Sequence, residues 1–294
     1  MSFAYRSSQV TNCRAPSSKA WNAAQGSYLA YFRFKSRGRF GPNRSWQAQS
    51  WLPARRKPAS MAAMKPAALA GYLDSTNLRL DATDADLRTL CVDARQHGFA
   101  AVMLYPSSAP LAAEALAGSP VRVGTVVGFP HGRSPLAGKE AEIRATAGAG
   151  AHEVDIVMNY GDLREGRRAA VAAELGRLVG VARELRLLTK VIVETCYLDR
   201  DQKLAALALC EDAGIDFIKT STGFGSAGAT VDDVKLFADH RRGTIRIKAA
   251  GGIKTLAQAR ALIAAGAERL GTSNAVALVL EEAGGNAAYP ISRY

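Results

Sequence analysis

Two patterns alternate along the chain from about residue 66 onward. Short runs dominated by Val, Ile, Leu and Ala give way to longer stretches in which apolar side chains recur three and four residues apart. The short runs predict eight strands: Gly71–Ser75, Ala100–Tyr105, Val121–Gly128, Glu153–Met158, Lys190–Thr195, Asp216–Thr220, Ile245–Ala249 and Arg269–Thr272. The longer pattern predicts helices over Thr83–His97, Ala109–Leu116, Leu136–Gly148, Arg167–Leu187, Asp199–Ala213, Val231–His240 and Thr255–Ala265. A last helical piece, about Asn274–Glu282, follows the eighth strand. Thr83-Asp-Ala-Asp and Thr230-Val-Asp-Asp each set a hydroxyl three residues before a carboxylate, the mark of a capped N-terminus. Gly98, Gly214 and Gly266 stand where helices should stop.

Eight strand–helix units in roughly 220 residues predict a (β/α)8 TIM barrel, a single α/β domain over residues 66–283. The strands read as apolar on both faces, as expected where helices cover the outside and packed side chains fill the inside. A doubly wound sheet is the rival architecture. It normally carries G-x-G-x-x-G after the first strand, which is missing here.

Active sites of such barrels lie at the C-terminal ends of the strands, so ionisable residues there are the candidates for chemistry. Strand 1 offers Asp74 and Thr76, strand 4 Asp155, strand 5 Glu194 and Thr195, strand 6 Lys219 and strand 7 Lys248. The two lysines hold matching places, 29 residues apart, each closing a short apolar run before a glycine turn. Two ammonium groups side by side depress each other's pKa, and a neutral amine attacks carbonyls. Pattern alone does not choose between Lys219 and Lys248 as the nucleophile. Glycine turns follow strands 6, 7 and 8: Thr220-Ser-Thr-Gly-Phe-Gly, Gly251-Gly252 and Gly271-Thr-Ser. Such turns let backbone N–H groups approach an anion, and the last two strands of these barrels often build a phosphate site. A phosphorylated small molecule is the expected substrate.

The segments Glu194-Thr-Cys-Tyr-Leu, Lys219-Thr-Ser-Thr-Gly-Phe-Gly, Lys248-Ala-Ala-Gly-Gly-Ile and Leu270-Gly-Thr-Ser resemble those of the deoxyribose-phosphate aldolases, class I Schiff-base aldolases. Leu73-Asp-Ser-Thr-Asn-Leu, Ala101-Val-Met-Leu-Tyr-Pro and Gly128-Phe-Pro-His-Gly follow the same order and spacing, so the resemblance covers about residues 67–282. It implies reversible cleavage of 2-deoxy-D-ribose 5-phosphate to D-glyceraldehyde 3-phosphate and acetaldehyde, with no metal and no cofactor, in deoxyribonucleotide catabolism. It also implies the roles. Lys219 would form the Schiff base, Lys248 would perturb its pKa and move protons, and Asp155 would be the acid/base. Asp74 and Thr76 would support them, and Gly223, Gly251, Gly252 and Ser273 would bind phosphate. Ser75, Asn77, Arg79-Leu80, His152 and Asn274 depart from the family's usual wording, and Met103 stands where some relatives have cysteine. None of these changes removes a catalytic side chain.

Charge alters the picture only at the N-terminus. The whole chain carries a formal charge of +12, but residues 1–65 hold 12 Lys and Arg and no acid. Taking those 12 from 38 leaves 26 basic residues against 26 acidic ones, so the barrel region is formally neutral and gives no charge argument for nucleic acid. The segment 1–65 also holds all three tryptophans and shows no sustained period. It reads as a basic extension unlike the barrel, and three origins stay open. Met61 or Met64 is the true start, the segment is an Arg- and Ser-rich transit peptide, or it is a nucleic-acid- or membrane-binding arm. Residues 284–294 read as a short tail. The four cysteines form no C-x-x-C pair, and the four histidines have no metal-ligand spacing, which fits a reduced, cytoplasmic protein without a metal. No apolar run reaches the roughly 18–20 residues that span a bilayer. A homodimer suits such a barrel. The competing functions are another Schiff-base aldolase or transaldolase, and a silent barrel whose basic arm binds nucleic acid.

Overall fold

A computed structural model of the chain describes residues 69–285. The expectations for residues 1–65, and all but the first two residues of the 284–294 tail, lie outside the described residues. Eight parallel strands close into a barrel in chain order. They are β1 (Leu73–Thr76), β2 (Ala101–Leu104), β3 (Arg122–Val127), β4 (Glu153–Val157), β5 (Leu188–Ile192), β6 (Phe217–Lys219), β7 (Arg246–Ala250) and β8 (Arg269–Thr272). β8 pairs back onto β1, with Asp74 opposite Gly271, so no edge is left open. The helices are α1 (Asp84–His97), α2 (Ala109–Ala115), α3 (Leu136–Gly148), α4 (Tyr160–Arg164), α5 (Arg168–Glu184), α6 (Arg200–Ala213), α7 (Val231–His240), α8 (Leu256–Ala264) and α9 (Ala275–Glu282).

Local chemistry sets most of these ends. Thr83 and Asp86 make a reciprocal capping box at α1, and Asp199 with Gln202 makes another at α6. Thr230 caps α7 through its side chain, but the Asp233 carboxylate turns away to bind Lys203 at 2.7 Å. Gly98 and Gly214 close α1 and α6 in the left-handed conformation, at φ 68° and 71°. The short helix α4 lies where the sequence pattern predicts no element. Five residues are too few to show a period, and the side-chain cap from Asn159 to the Asp162 N–H marks its start.

The two faces of the strands differ more than their sequences suggest. Outward-facing side chains such as Val102, Val123, Ile156, Val191, Ile218, Ile247 and Leu270 belong to the large apolar core. Inside the barrel apolar side chains are fewer: a small cluster of Leu78, Met103 and Val126 flanked by Tyr105 and Phe129, and Phe217 on the face of Lys219 with Arg246 and Arg269 over its ring. The rest of the lumen holds buried charge: Asp74, Glu153, Asp155, Lys190, Lys219, Lys248 and Arg269. Burying charge costs several kcal/mol per group unless it is paired, so this lumen exists only because its charges neutralise one another.

Candidate active site

Strand alternation and register build the site. Lys219 and Lys248 are register neighbours on β6 and β7, and both point into the lumen. Asp155 reaches them from β4. Its Oδ2 accepts from Lys219 Nζ at 2.7 Å and from Lys248 Nζ at 2.8 Å. Its Oδ1 accepts from Lys190 Nζ at 2.9 Å. Asp74 accepts from Lys248 through Oδ2 and from Arg269 through Oδ1, the latter at 2.6 Å. Thr76 donates its hydroxyl to the Asp74 carbonyl at 3.0 Å and leaves Lys248 to the carboxylate. Gly271 makes room for this arrangement, since a Cβ there would sit 3.1 Å from Lys248 Cε.

The charge balance singles out one amine. Four cations, Lys190, Lys219, Lys248 and Arg269, share three carboxylates, Asp74, Glu153 and Asp155, and Lys219 pairs with Asp155 alone, which it shares with Lys190 and Lys248. Burial therefore pushes the Lys219 amine down to about 8; Lys248 and Lys190 push the same way, and Asp155 only partly resists. Burial would raise the Asp155 carboxyl, but Lys190, Lys219 and Lys248 together hold it well below the usual range. Asp74 is likewise held low against burial, by Lys248, Lys190 and Arg269. Burial would lower Lys190, yet Asp155, Glu153 and Asp74 outweigh it and keep that ammonium charged.

Above the charges lies a cavity of about 280 Å³. Lys219, Thr76, Gly223, Gly251, Gly252 and Ser273 all line it, so every position singled out for substrate or phosphate faces the same space as the depressed amine. Its wall consists of packed glycine backbone. Gly251 sits at φ 85°, with the Cα atoms of Gly228 and Gly223 only 3.1 and 3.4 Å from where its Cβ would be. Glu194, the carboxylate offered by strand 5, holds the loop after β6. It accepts from the Thr222 N–H at 3.2 Å and from the Thr222 hydroxyl, while itself in the left-handed region at φ 55°. Lys248, Asp155 and Asp74 lie beneath the cavity and reach it through Lys219.

Three participants escaped the sequence reading. The sequence pattern puts Lys190 at the first residue of its strand, where a lysine is ordinarily solvated. The strand starts two residues earlier, at Leu188, and Lys190 is fully buried at its centre. Glu153 and Arg269 likewise open their predicted strands. The period-2 rule would have found Glu153, which must share the inward face of Asp155. Among the described residues, no three His, Cys, Asp or Glu side chains gather to hold a metal ion, and no helix is long and apolar enough to cross a membrane.

A model of the DeoC/LacD family aldolases matches residues 64–279. The chain belongs to that family. The deoxyribose-phosphate aldolase of Deinococcus radiodurans is 48% identical over 211 residues, covering 72% of this chain and 95% of the relative. That of Thermococcus gammatolerans is 45% identical over 213 residues, again 72% of this chain and 95% of the relative. Among solved structures, the tetrameric deoxyribose phosphate aldolase of Aeropyrum pernix superposes with a TM-score of 0.70 at 33% identity, covering 75% of this chain and 92% of that one. For this DeoC/LacD aldolase, a carbon–carbon lyase, the depressed amine at the cavity floor is thus the group to explain.

Proposed function

We propose that the chain reversibly cleaves 2-deoxy-D-ribose 5-phosphate to D-glyceraldehyde 3-phosphate and acetaldehyde through a Schiff base on Lys219. One observation carries the reading: Lys219 is a buried amine brought down to about 8 at the base of a glycine-walled cavity. At pH 7 an amine of that pKa is about one-tenth neutral, whereas an ordinary lysine near 10.4 is neutral in only about 4 molecules in 10,000.

The chemistry follows from that amine. Lys219 Nζ adds to the aldehyde carbon of the open-chain sugar, and loss of water leaves an iminium. The iminium draws the electron pair of the C2–C3 bond toward nitrogen while the C3 hydroxyl gives up its proton. The bond breaks to D-glyceraldehyde 3-phosphate and an enamine on Lys219. Protonation of the enamine carbon and hydrolysis then release acetaldehyde. Asp155 and Lys248 are the proton carriers, because Asp155 accepts from the reacting nitrogen and Lys248 donates to that same Asp155 oxygen. Asp74 holds Lys248 in place. The phosphate sits over Gly223, Gly251, Gly252 and Ser273, where Cβ-free backbone permits close approach of an anion. Thr76 lines the substrate end of the same space. The catalytic unit is residues 66–283, acting in the cytoplasm on deoxyribonucleotide breakdown products.

The test is reductive trapping. Incubation with acetaldehyde and borohydride should add a two-carbon group to the peptide containing Lys219, and Lys219→Ala should abolish it with the fold intact. Failure to trap any lysine would refute the Schiff base.

A further inference from the structure

The ionic lumen continues below the site. Lys190 Nζ, which donates to Asp155 at 2.9 Å, donates also to Glu153 Oε2 at 2.6 Å. Arg269 stands 3.6 Å from the same Glu153 oxygen, and Arg122, half-exposed at the N-terminal end of the barrel, lies 3.7 Å from Glu153 Oε1. Lys190 and Glu153 are completely buried, and neither lines the cavity. A buried, paired charge two residues below the acid/base is expensive and contributes nothing to packing that a leucine would not. The groups facing Lys219 are Asp155 from β4, Lys190 from β5, Glu194 after β5 and Lys248 from β7; Asp74 and Arg269 face Lys248 and Lys190 from β1 and β8.

We propose that the Glu153–Lys190 pair is a positioning unit that sets the protonation of Lys219 from beneath, by occupying one oxygen of Asp155 and fixing the charge balance of the lumen. Lys190 takes Asp155 Oδ1, so that only Oδ2 remains for Lys219 and Lys248 to share. Lys190 thereby weakens the hold of Asp155 on Lys219 and adds a positive charge of its own. Glu153 opposes that charge and keeps Lys190 in place. Neither side chain touches the substrate. The two act with opposite sign on the same nitrogen, which a merely structural pair would not do. The inference rests on Lys219 being the nucleophile.

The experiment uses the full chain and reads the pH midpoint for modification of Lys219 in two ways. One is acetaldehyde–borohydride trapping, and the other is competitive acylation by acetic anhydride, both followed by peptide mass spectrometry. Lys190→Met removes a positive charge and frees Asp155, so the midpoint should rise by one unit or more. Glu153→Gln leaves Lys190 with only Asp155 and the more distant Asp74 as counter-charges, so the midpoint should fall by half a unit or more. The double variant should return to within about 0.3 of the parent. Should a single exchange fail to fold, the swap Glu153→Lys/Lys190→Glu keeps both an ion pair and the net charge, and should raise the midpoint because the carboxylate now faces the site. Folded variants whose midpoints do not move, or move in the same direction, would overturn the proposal. If the parent gives no acetaldehyde adduct, the Schiff-base reading fails, while the acylation midpoints still decide whether the pair controls the amine.

Discussion

Replacing Lys248 with methionine keeps the length of the side chain and removes its charge. Lys219 and Lys248 donate to one oxygen of Asp155 at 2.7 and 2.8 Å, so their nitrogens lie no more than 5.5 Å apart. Two unit charges about 5 Å apart at an effective dielectric constant of about 20 repel by roughly 3 kcal/mol, equivalent to about two pKa units. Removing Lys248 also leaves Asp155 Oδ2 to Lys219 alone, which favours the ammonium further. The Lys219 amine should therefore climb from about 8 toward its ordinary value near 10. Each unit lowers the neutral fraction at pH 7 about tenfold. The assay is the rate of adduct formation with acetaldehyde under cyanoborohydride across pH 6 to 10. The half-maximal pH should rise by at least one unit, with slow trapping at pH 7 recovering near pH 10. Burial, not Lys248, is the largest cause of the depression, so the rise should stop short of a fully solvated lysine. An unchanged midpoint in a folded variant would refute the electrostatic role of Lys248.

Two further outcomes follow from the same geometry. Because Lys219 has a lower pKa folded than unfolded, the unfolded chain binds more protons between about pH 8 and 10.5, and stability should rise with pH across that window. Chemical denaturation should show Lys219→Met lacking that slope and gaining roughly 2–4 kcal/mol over the parent at pH 7, and a variant no more stable than the parent would contradict a fourth cation in excess of the three carboxylates. Gly251→Ala would force a Cβ to 3.1 Å from Gly228 at φ 85°, costing about 1–2 kcal/mol and displacing the glycine wall. Steady-state kinetics should show KM rising at least tenfold for deoxyribose 5-phosphate and little change for unphosphorylated deoxyribose; equal losses on both would place the phosphate elsewhere.

Much of this protein is written locally. The period-2 and helical runs, Thr83 and Asp199 as caps, and Gly98 and Gly214 as stops are properties of neighbouring residues, so the order of strands and helices was readable from the chain. Lys219, Lys248 and Asp155 could be singled out as candidates, because the apolar strands that carry them and the glycine turns after the two lysines are local too. The contents of the lumen were not readable. Whether Lys190 is a solvated strand end or a buried partner of Asp155 depends on where β5 begins and on the shear that sets Asp155 opposite Lys190 across the closed sheet. The contact between Glu194 and Thr222, and the packing of Gly251 on Gly228, likewise join loops far apart in sequence. The matching places of the two lysines are visible in the sequence. That Lys219 has only a shared counter-charge, while Lys248 has Asp74 as well, is a property of the whole lumen, since Coulomb energies sum over neighbours that only barrel closure brings within a few ångströms.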